Sequence, residues 1–239
     1  MNITQFKTFF QEECNKNQIK NEEKKAEKLF VYMNLILKWN ESINLTAITD
    51  HNQFIVKHYV DSLLIDSFIK GANRVLDIGT GAGFPGIPLK IYNPDIEFML
   101  IDSVNKKINV INDVIQKLGL KNIEALHIRA EDLAQNSSYR EKFDIVTTRA
   151  VSNLTTICEY MLPFVKIGGK AICMKGPNIE EELKNSEKAI KILGGEIEKI
   201  EKINIDDEFE RNIIVIKKIK NTEKKYPRGQ GKPLKEPIK

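Results

Sequence analysis

The sequence predicts an α/β protein with a mostly parallel sheet, an N-terminal helical extension and a closing antiparallel hairpin. Three observations lead to this prediction. Apolar runs of strand length alternate with helical periods between residues 74 and 193, as in sheets built from βαβ units. A glycine-rich turn directly follows the first of these runs. Two β-branched runs, 196–205 and 211–219, then adjoin without a helix between them, which is typical of a hairpin.

The composition is that of an ordinary globular chain. Of the 239 residues, 41% are hydrophobic and 29% charged, so a sizeable core is expected. No apolar run approaches the roughly 20 residues needed to cross a bilayer, and the N-terminus lacks a signal peptide's pattern. We therefore expect a cytoplasmic protein without membrane contact. The three cysteines and three histidines have no metal-ligand spacing, so we expect no metal.

The first 70 residues are expected to form a helical extension that packs on the core. Apolar residues recur at helical spacing over 4–38, and polar turn residues interrupt the pattern over 40–49. The helical pattern resumes over 54–69, where Gly71 is placed to end the helix.

The first predicted strand, 75–78, is an apolar run of the kind buried on both faces of a parallel sheet. Gly79, Gly81 and Gly83 follow at alternate positions. Glycine allows positive φ and lets a ligand come close to the backbone. A helix is predicted next, over 84–91. The turn is therefore a candidate ligand site.

The next predicted strand, 96–101, ends in Asp102, whose carboxylate can accept hydrogen bonds from both hydroxyls of a ribose. This indicates a nucleoside-bearing cofactor at the carboxyl edge of the sheet. Residues 81–86, GAGFPG, satisfy the dinucleotide pattern G-x-G-x-x-G. Residues 77–83, DIGTGAG, also resemble the first motif of S-adenosylmethionine (SAM) methyltransferases. The spacing alone leaves both cofactors open.

Strands and helices continue to alternate beyond residue 102. The predicted helices are 104–118, 153–162 and 180–193, and the predicted strands are 123–128, 143–147 and 170–174. A turn is predicted at Gly168-Gly169. The closing hairpin, joined by the acidic loop 206–208, is expected to place one antiparallel strand at the edge of the sheet.

Ala130 and Glu131 follow the third predicted strand, on the edge expected to hold the cofactor. Backbone N–H groups there could bind adenine N1, and the carboxylate could accept from the adenine amino group. The alternative is a carboxylate that stabilises a helix N-terminus. Arg149 follows the fourth strand, where it could bind the cofactor carboxylate, a phosphate or a guanine edge. Its alternative is a surface ion pair.

His58 and Asp61 share one helical face, which fits either a catalytic dyad or a structural contact. Lys175 ends the fifth predicted strand and therefore also points to the active edge. The sequence does not separate an RNA contact by Lys175 from a strand-terminating role.

Positive charge is concentrated at the C-terminus. The net charge of the chain is +4, yet residues 217–239 hold nine Lys or Arg and two Glu. Residues 221–239, rich in Pro, Gly and Lys, are expected to form a flexible or loosely docked tail that binds RNA backbone. Truncation after Asn221 is then expected to leave cofactor binding intact. The alternative is a solubilising end.

Several blocks together resemble the RsmG (also called GidB) family of 16S ribosomal RNA guanine-N7 methyltransferases, over nearly the whole chain. The blocks are 39–46 (WNESINLT), 58–62 (HYVDS), 77–86 (DIGTGAGFPG), 102–103 (DS), 106–107 (KK), 148–150 (TRA), 175–176 (KG) and the tail from 224 (KKYPR). The glycine motif is shared by many methyltransferases. The block at 39–46 together with that at 58–62 is far more specific.

The resemblance implies a class I SAM-dependent methyltransferase with a Rossmann-like sheet over 71–220, which methylates N7 of a guanosine near the ribosomal decoding site. It implies that Gly79 and Phe84 line the cofactor, that Ala130 and Glu131 hold its adenine end, and that Arg149 completes the site.

The implied partner is 16S rRNA or an assembly intermediate of the small subunit, and we expect a monomer. Guanine N7 carries no proton, so no general base is assigned. An NAD(P)-dependent oxidoreductase and an RNA-binding protein without catalysis remain the alternatives. The terminal hairpin and the lack of a substrate domain disfavour the first, and the intact glycine turn disfavours the second.

Overall fold

The structure, a computed structural model, describes residues 1–149, 152–206, 209–229 and 231–238. It contains a seven-stranded sheet with helices on both faces, as the sequence predicted. Asp207 and Glu208 of the predicted acidic loop, Ala150 of the 148–150 block, and Gln230 and Lys239 of the tail lie outside the described residues.

The seven strands have the order β3-β2-β1-β4-β5-β7-β6. Their bounds are β1 Arg74–Ile78, β2 Glu97–Asp102, β3 Ile123–His127, β4 Phe143–Arg149, β5 Val165–Lys175, β6 Gly195–Asn204 and β7 Glu210–Lys218. The first five strands are parallel, and β7 is antiparallel to both of its neighbours. The strand order reverses between β1 and β4, which is where open α/β sheets bind ligands at their carboxyl ends.

The closing hairpin is confirmed, but the position expected for its antiparallel strand was wrong. The antiparallel strand β7 lies inside the sheet, and β6 forms the edge. Burial gives the physical reason. Four consecutive residues of β7, 213–216, are at most 1% exposed, whereas most of β6 is exposed or half-buried. The more apolar strand therefore takes the inner position.

The turn predicted at Gly168-Gly169 was also wrong, because β5 runs through both glycines with an irregularity in its register against β4. Gly168 has φ +82°, which favours glycine. A Cβ at Gly169 would lie 2.6 Å from the carbonyl oxygen of Asp144. The two glycines thus form part of a β-bulge and not a turn.

The helices fall close to the predicted ranges. They are α1 Ile3–Lys16, α2 Glu23–Asn40, α3 His51–Phe54, α4 Asp61–Leu63, α5 Gly86–Tyr92, α6 Asn105–Lys117, α7 Ala130–Leu133, α8 Leu154–Met161, α9 Glu180–Ile192 and α10 Lys232–Lys235. A π-helix, Ile55–Val60, joins α3 to α4, and a 3-10 turn follows at Asp66–Ile69. π-helical turns inside α-helices are frequent at functional sites, and this one contains His58.

Two apolar clusters fill the two faces of the sheet. One combines buried residues of α1, α2 and the segment 54–69 with α5, α6 and one face of β1 and β2. Tyr32 and Tyr59 are its largest fully buried side chains. The other cluster lies between the sheet and α7, α8 and α9. The N-terminal helices therefore share a core with the sheet. No helix among the described residues is long and apolar enough to span a membrane.

The C-terminal segment is packed, in contrast to the flexible or loosely docked tail that its composition predicts. The guanidinium of Arg140 donates to the carbonyl oxygens of Thr222 (2.8 Å), Glu223 (3.1 Å) and Tyr226 (2.8 Å). Although the segment lacks apolar periodicity, side-chain donors to its backbone hold it in place. Composition alone does not reveal such contacts.

Candidate active site

A cavity of about 230 Å³ opens at the carboxyl ends of β1, β2 and β3, beside α7. It brings together Gly79, Asp102, Ala130 and Glu131, which are four of the predicted site residues. The full lining is Ile78, Gly79, Ile101, Asp102, Ser103, Ile128, Arg129, Ala130, Glu131, Ser152, Tyr160 and Leu234. The C-terminal residue Leu234 was not singled out from the sequence.

The glycine turn has positive φ at Gly79 (69°), Gly81 (60°) and Gly83 (101°). The N–H groups of Gly79 and Thr80 donate to the Ile101 carbonyl oxygen, at 2.9 and 3.1 Å, which fixes the turn against β2. The nearest atom to a Cβ at Gly81 would be 4.0 Å away, so this side of the turn is open.

Gly83 has a different environment from Gly81. A Cβ at Gly83 would lie 2.5 Å from the Tyr32 hydroxyl oxygen and 2.7 Å from Ile87 Cγ1. Its lack of a side chain lets the turn pack on the helical layer, where the Tyr32 hydroxyl donates to the Ala82 carbonyl oxygen. A direct cofactor contact by Gly83 stays a prediction.

Asp102 is 7% exposed and organises the neighbouring backbone. Its Oδ2 accepts from the N–H of Gly81 at 3.0 Å, and its Oδ1 accepts from the N–H of Val104 at 2.9 Å. A carboxylate oxygen can accept two hydrogen bonds, so each oxygen keeps capacity for a ligand donor. The predicted ribose contact is compatible with this geometry.

Glu131 is 5% exposed, and its Oε1 has no hydrogen-bond partner among the described residues. A buried unpaired carboxylate oxygen costs free energy, so such an atom at a cavity wall suits a ligand with an N–H donor. The adenine amino group is a donor of this kind. The residues of the cavity therefore fit an adenosine-bearing cofactor.

Asp77, the acid that opens the glycine motif, is fully buried. Its Oδ2 accepts from the N–H of Gly86 at 3.1 Å, and burial raises the pKa of Asp77 to about 7. A Cβ at Gly86 would collide with Leu100 and lie 2.9 Å from Asp77 Oδ2. Asp77 and Gly86 therefore fix the start of α5 against the sheet.

Arg149, at the end of β4, is held by the π-helical segment. Its Nη1 donates to Asp61 Oδ2 at 2.7 Å and to the Lys57 carbonyl oxygen at 3.0 Å, and its Nη2 lies 3.1 Å from His58 Nδ1. The guanidinium carbon lies 5.1 Å from the centre of the Phe84 ring, within the range of a cation–π contact. Arg149 and Phe84 are thus neighbours, and their contact with a cofactor stays a prediction.

The His58 ring is stacked on Phe84, with ring centres 4.4 Å apart and planes 7° apart. Burial, and then the positive charge of Arg149, lower the pKa of His58 to about 3. Since Arg149 only donates, His58 Nδ1 accepts, so the ring proton lies on Nε2 and points to Thr46 Oγ1 at 2.9 Å. His58 therefore holds Arg149 in position, which favours the structural interpretation.

Asp61 is fully buried between two arginines. Besides Arg149, it binds Arg211 of β7, whose Nε donates to Oδ1 at 2.7 Å and whose Nη2 donates to Oδ2 at 3.0 Å. Sequence reasoning missed Arg211. The only signal was a charged residue two positions before the apolar run of this strand.

The block at residues 39–46 has a structural explanation. Asn40 Oδ1 accepts from the N–H groups of Leu45 (2.8 Å) and Thr46 (3.0 Å), and its Nδ2 donates to the Thr46 carbonyl oxygen. This loop presents Thr46 to His58. Trp39 Nε1 donates to Asp113 Oδ2 at 2.8 Å and ties the block to α6. One chain of contacts therefore links Asn40, Thr46, His58 and Arg149.

Lys175, which the sequence left undecided, is engaged within the protein. Its Nζ donates to the Ser152 carbonyl oxygen at 2.7 Å and pairs with Glu182 Oε2 at 2.8 Å. These contacts favour the strand-terminating role. Among the described residues, His, Cys, Asp and Glu side chains do not gather into a group of three or more that could hold a metal.

The family model and the relatives that match this sequence carry the same description. Residues 25–214 match the family model GidB, described as rRNA small subunit methyltransferase G. The ribosomal RNA small subunit methyltransferase G of Clostridium botulinum (strain ATCC 19397 / Type A) is 49% identical over 238 residues, which is 98% of this chain and 100% of that relative. The protein of the same name from Clostridium novyi is 48% identical over 219 residues, 90% of each chain.

Solved structures show the same fold at low sequence identity. A precorrin-6y C5,15-methyltransferase from Geobacter metallireducens has a TM-score of 0.54 at 14% identity, covering 75% of this chain and 95% of its own. A SAM-dependent methyltransferase from Aquifex aeolicus has a TM-score of 0.53 at 18% identity, covering 77% and 97%. The expected class I methyltransferase sheet is thereby confirmed.

Proposed function

The chain belongs to the GidB family, rRNA small subunit methyltransferase G, and from that membership we propose that it transfers a methyl group from SAM to N7 of one guanosine near the decoding site of 16S rRNA. The observation that best supports this proposal is the placement of two features on one sheet edge. The cavity, with the unpaired Oε1 of Glu131 in its lining, lies at one end of the glycine turn, and Arg149 lies over Phe84 at the other.

The cavity residues bind the nucleoside part of the cofactor. Gly79 and Gly81 allow close approach to the backbone, Asp102 accepts from the ribose hydroxyls, and Glu131 accepts from the adenine amino group with Ala130 beside it. When bound, SAM supplies a methyl group on a positively charged sulfur. Phe84 and Arg149, which contact each other, complete the site.

Arg149 positions the substrate. A guanidinium has five N–H donors, and three of them meet Asp61, Lys57 and His58. Hydrogen bonds to the described residues leave two donors over, and in this proposal these bind a guanine O6 or a phosphate oxygen. Because Asp61 and His58 fix the guanidinium plane, the direction of these two donors is set before RNA arrives.

No side chain acts as a general base in this proposal. Guanine N7 presents a lone pair without a proton, so it needs only alignment with the methyl group. His58 fits this scheme because it is neutral and both of its ring nitrogens are engaged. We further propose that the protein acts as a cytoplasmic monomer on 16S rRNA or an assembly intermediate of the small subunit. We also propose three parts for the chain: an N-terminal extension over 1–70, a catalytic domain over 71–220 and a basic tail over 221–239.

The test is incubation of the protein with methyl-labelled SAM and small-subunit RNA, both naked and in subunits that lack the modification. N7-methylguanosine sensitises the RNA chain to cleavage after reduction and aniline treatment, and primer extension then locates the base. We expect label and cleavage at one guanosine. Label without aniline cleavage would assign the methyl group to another atom. RNA binding without label would favour the non-catalytic alternative.

A further inference from the structure

The C-terminal residues 226–229 and 231–238 reach the cavity through Leu234. We propose that they form the outer wall of the SAM site, with Leu234 in contact with the bound nucleoside. This inference rests on the proposed use of SAM. It assigns to the tail a role in cofactor binding beyond the RNA contact that its charge suggests. Three observations support it: two anchors on α8 and the position of Leu234.

The first anchor is an ion pair at a buried carboxylate. Arg228 Nε lies 2.9 Å from Glu159 Oε1, and its Nη2 lies 2.7 Å from Oε2. The backbone N–H of Arg228 also donates to Glu159 Oε1 at 2.8 Å. Glu159 is 1% exposed, so this carboxylate is satisfied largely by one residue of the tail. Bidentate pairs of this kind fix orientation as well as distance.

The second anchor lies one turn earlier on α8. Thr156 Oγ1 donates to the Pro233 carbonyl oxygen at 2.9 Å, and Pro233 is buried. Arg228 Nη2 also donates to the Glu236 carbonyl oxygen at 2.8 Å, which holds the far side of α10. These contacts bracket Leu234 in the chain and place it at the cavity wall together with Tyr160 of α8.

Leu234 is 59% exposed, although it lines a cavity that also contains four of the predicted cofactor residues. A single exposed leucine needs no explanation by itself. At this position, however, an adenosine seated against Asp102 and Glu131 would cover part of the side chain. Removal of that apolar surface from water favours binding. The segment therefore contributes to cofactor affinity through a contact that the free protein leaves open to solvent.

This inference reverses one expectation from the sequence. Truncation after Asn221 was expected to leave cofactor binding intact, because the tail was assigned to RNA alone. With Leu234 at the cavity, the same truncation should weaken binding of SAM and of its product S-adenosylhomocysteine. The truncation also removes Thr222, whose hydroxyl accepts from the buried Lys218 Nζ at 2.5 Å. A point substitution is therefore the cleaner test.

The experiment is calorimetry of S-adenosylhomocysteine binding to the full-length protein, Leu234→Ala and a matched control, Ile167→Ala. Ile167 is 58% exposed and lies near the amino end of β5, whereas the cavity lies at the carboxyl ends of the parallel strands. We expect Leu234→Ala to weaken binding by about 3- to 10-fold, because less apolar surface is covered by the ligand. Ile167→Ala should match the wild type. Urea unfolding should be unchanged in both variants.

Two further measurements follow from the anchors. Glu159→Gln should weaken binding when Leu234 is present and have no additional effect in the Leu234→Ala background, since the anchor acts through Leu234. Saturating S-adenosylhomocysteine should also slow tryptic cleavage after Lys235 in the wild type. If the wild type binds S-adenosylhomocysteine and Leu234→Ala binds it with the same affinity, the inference about Leu234 is wrong and the proposed function is unaffected. A wild-type protein that binds no S-adenosylhomocysteine overturns the proposed function as well.

Discussion

Arg149 Nη1 lies 2.7 Å from Asp61 Oδ2 in an ion pair whose side chains are 10% and 0% exposed. The same carboxylate receives two hydrogen bonds from Arg211, so one buried acid fixes two guanidinium groups. Asp61 lies in the N-terminal helical part, whereas Arg149 and Arg211 lie on β4 and β7. The helical extension therefore sets the geometry of a site that belongs to the sheet.

Replacement of Asp61 by Asn should disrupt this arrangement. Removal of one partner from a buried ion pair leaves uncompensated charge, and we expect a decrease of about 3–5 kcal/mol in the free energy of unfolding. Methyl transfer should fall further than S-adenosylhomocysteine affinity, because the nucleoside cavity is separate from Arg149. Urea unfolding, calorimetry and methylation kinetics measure the three quantities.

The control for Asp61→Asn is Glu23→Gln, which removes an exposed ion pair with Lys7. Exposed pairs contribute little, so stability and activity should stay close to wild type. If Asp61→Asn had wild-type stability and activity, the guanidinium groups would not depend on this carboxylate.

Glu131→Gln tests the adenine contact. The carboxylate has an unpaired Oε1 in a buried position, so the neutral amide should not destabilise the free protein. Loss of a hydrogen bond to a charged acceptor should weaken S-adenosylhomocysteine binding by roughly 10-fold or more. Calorimetry with parallel urea unfolding checks both statements. Equal affinity would move the adenine contact to the backbone at Ala130.

Asp102→Ala should lower SAM affinity by roughly 10- to 150-fold if the carboxylate binds the ribose. The substitution also removes the acceptor for the N–H groups of Gly81 and Val104, so affinity alone is ambiguous. A 2′-deoxy analogue of S-adenosylhomocysteine resolves this. Wild type should bind it more weakly than the parent ligand, and Asp102→Ala should not discriminate between the two. Equal discrimination by both proteins would place the ribose contact elsewhere.

The pH dependence of stability contains two opposing contributions. The pKa of Asp77 is raised to about 7, so the native state holds a proton that the unfolded state loses between pH ~4 and ~7. Stability from Asp77 therefore falls as pH rises through this window. The pKa of His58 is lowered to about 3, so its contribution falls as pH drops below ~6.5. The two effects oppose each other in the wild type.

The substitution Asp77→Asn separates the contribution of Asp77 to the pH dependence from that of His58. The substitution keeps the local contact, since an amide oxygen can still accept from the N–H of Gly86. The unfolding free energy of Asp77→Asn minus that of wild type should increase from about pH 4 to about pH 7 and then level off. Urea unfolding at a series of pH values measures this difference. A difference independent of pH would mean that Asp77 titrates alike in the folded and unfolded states.

The exposed lysines of the tail give a test of RNA binding that preserves its packing. Lys224, Lys232 and Lys235 are exposed, and their replacement by Gln should flatten the log–log salt dependence of rRNA affinity by about 0.7–0.9 for each phosphate that is no longer neutralised. The choice of methylated base should not change, because phosphate contacts carry no sequence information. Gln at the exposed Lys20, Lys24 and Lys28 changes the net charge equally and serves as control. Identical slopes for both triple variants would identify the tail as a solubilising end.

Much of the fold was predictable because strand and helix periods are strong local signals. Each predicted strand of the sheet is present, and the segment 74–102 was interpreted almost residue by residue. The wrong predictions concern how segments of the chain are arranged relative to one another. The sequence of β7 predicts a strand but not its neighbours, and Gly168-Gly169 predicts a break in regular structure but not whether that break is a turn or a bulge.

The site was predictable where residues follow strand ends. Gly79, Asp102, Ala130 and Glu131 gather at one cavity because carboxyl ends of parallel strands meet at one edge. Arg211 and Leu234 were missed because they come from distant parts of the chain. Neither has a local pattern that marks it, and only tertiary packing brings them to the site.

The insertion of β7 between β5 and β6 has a consequence for synthesis on the ribosome. Until residues 210–218 have emerged, the outer side of β5 has no hydrogen-bonding neighbour and β6 has no partner in the sheet. Leu234, which lines the cofactor cavity, emerges later still. A nascent chain shorter than residue 210 therefore cannot complete the sheet, and one shorter than residue 234 cannot complete the cavity.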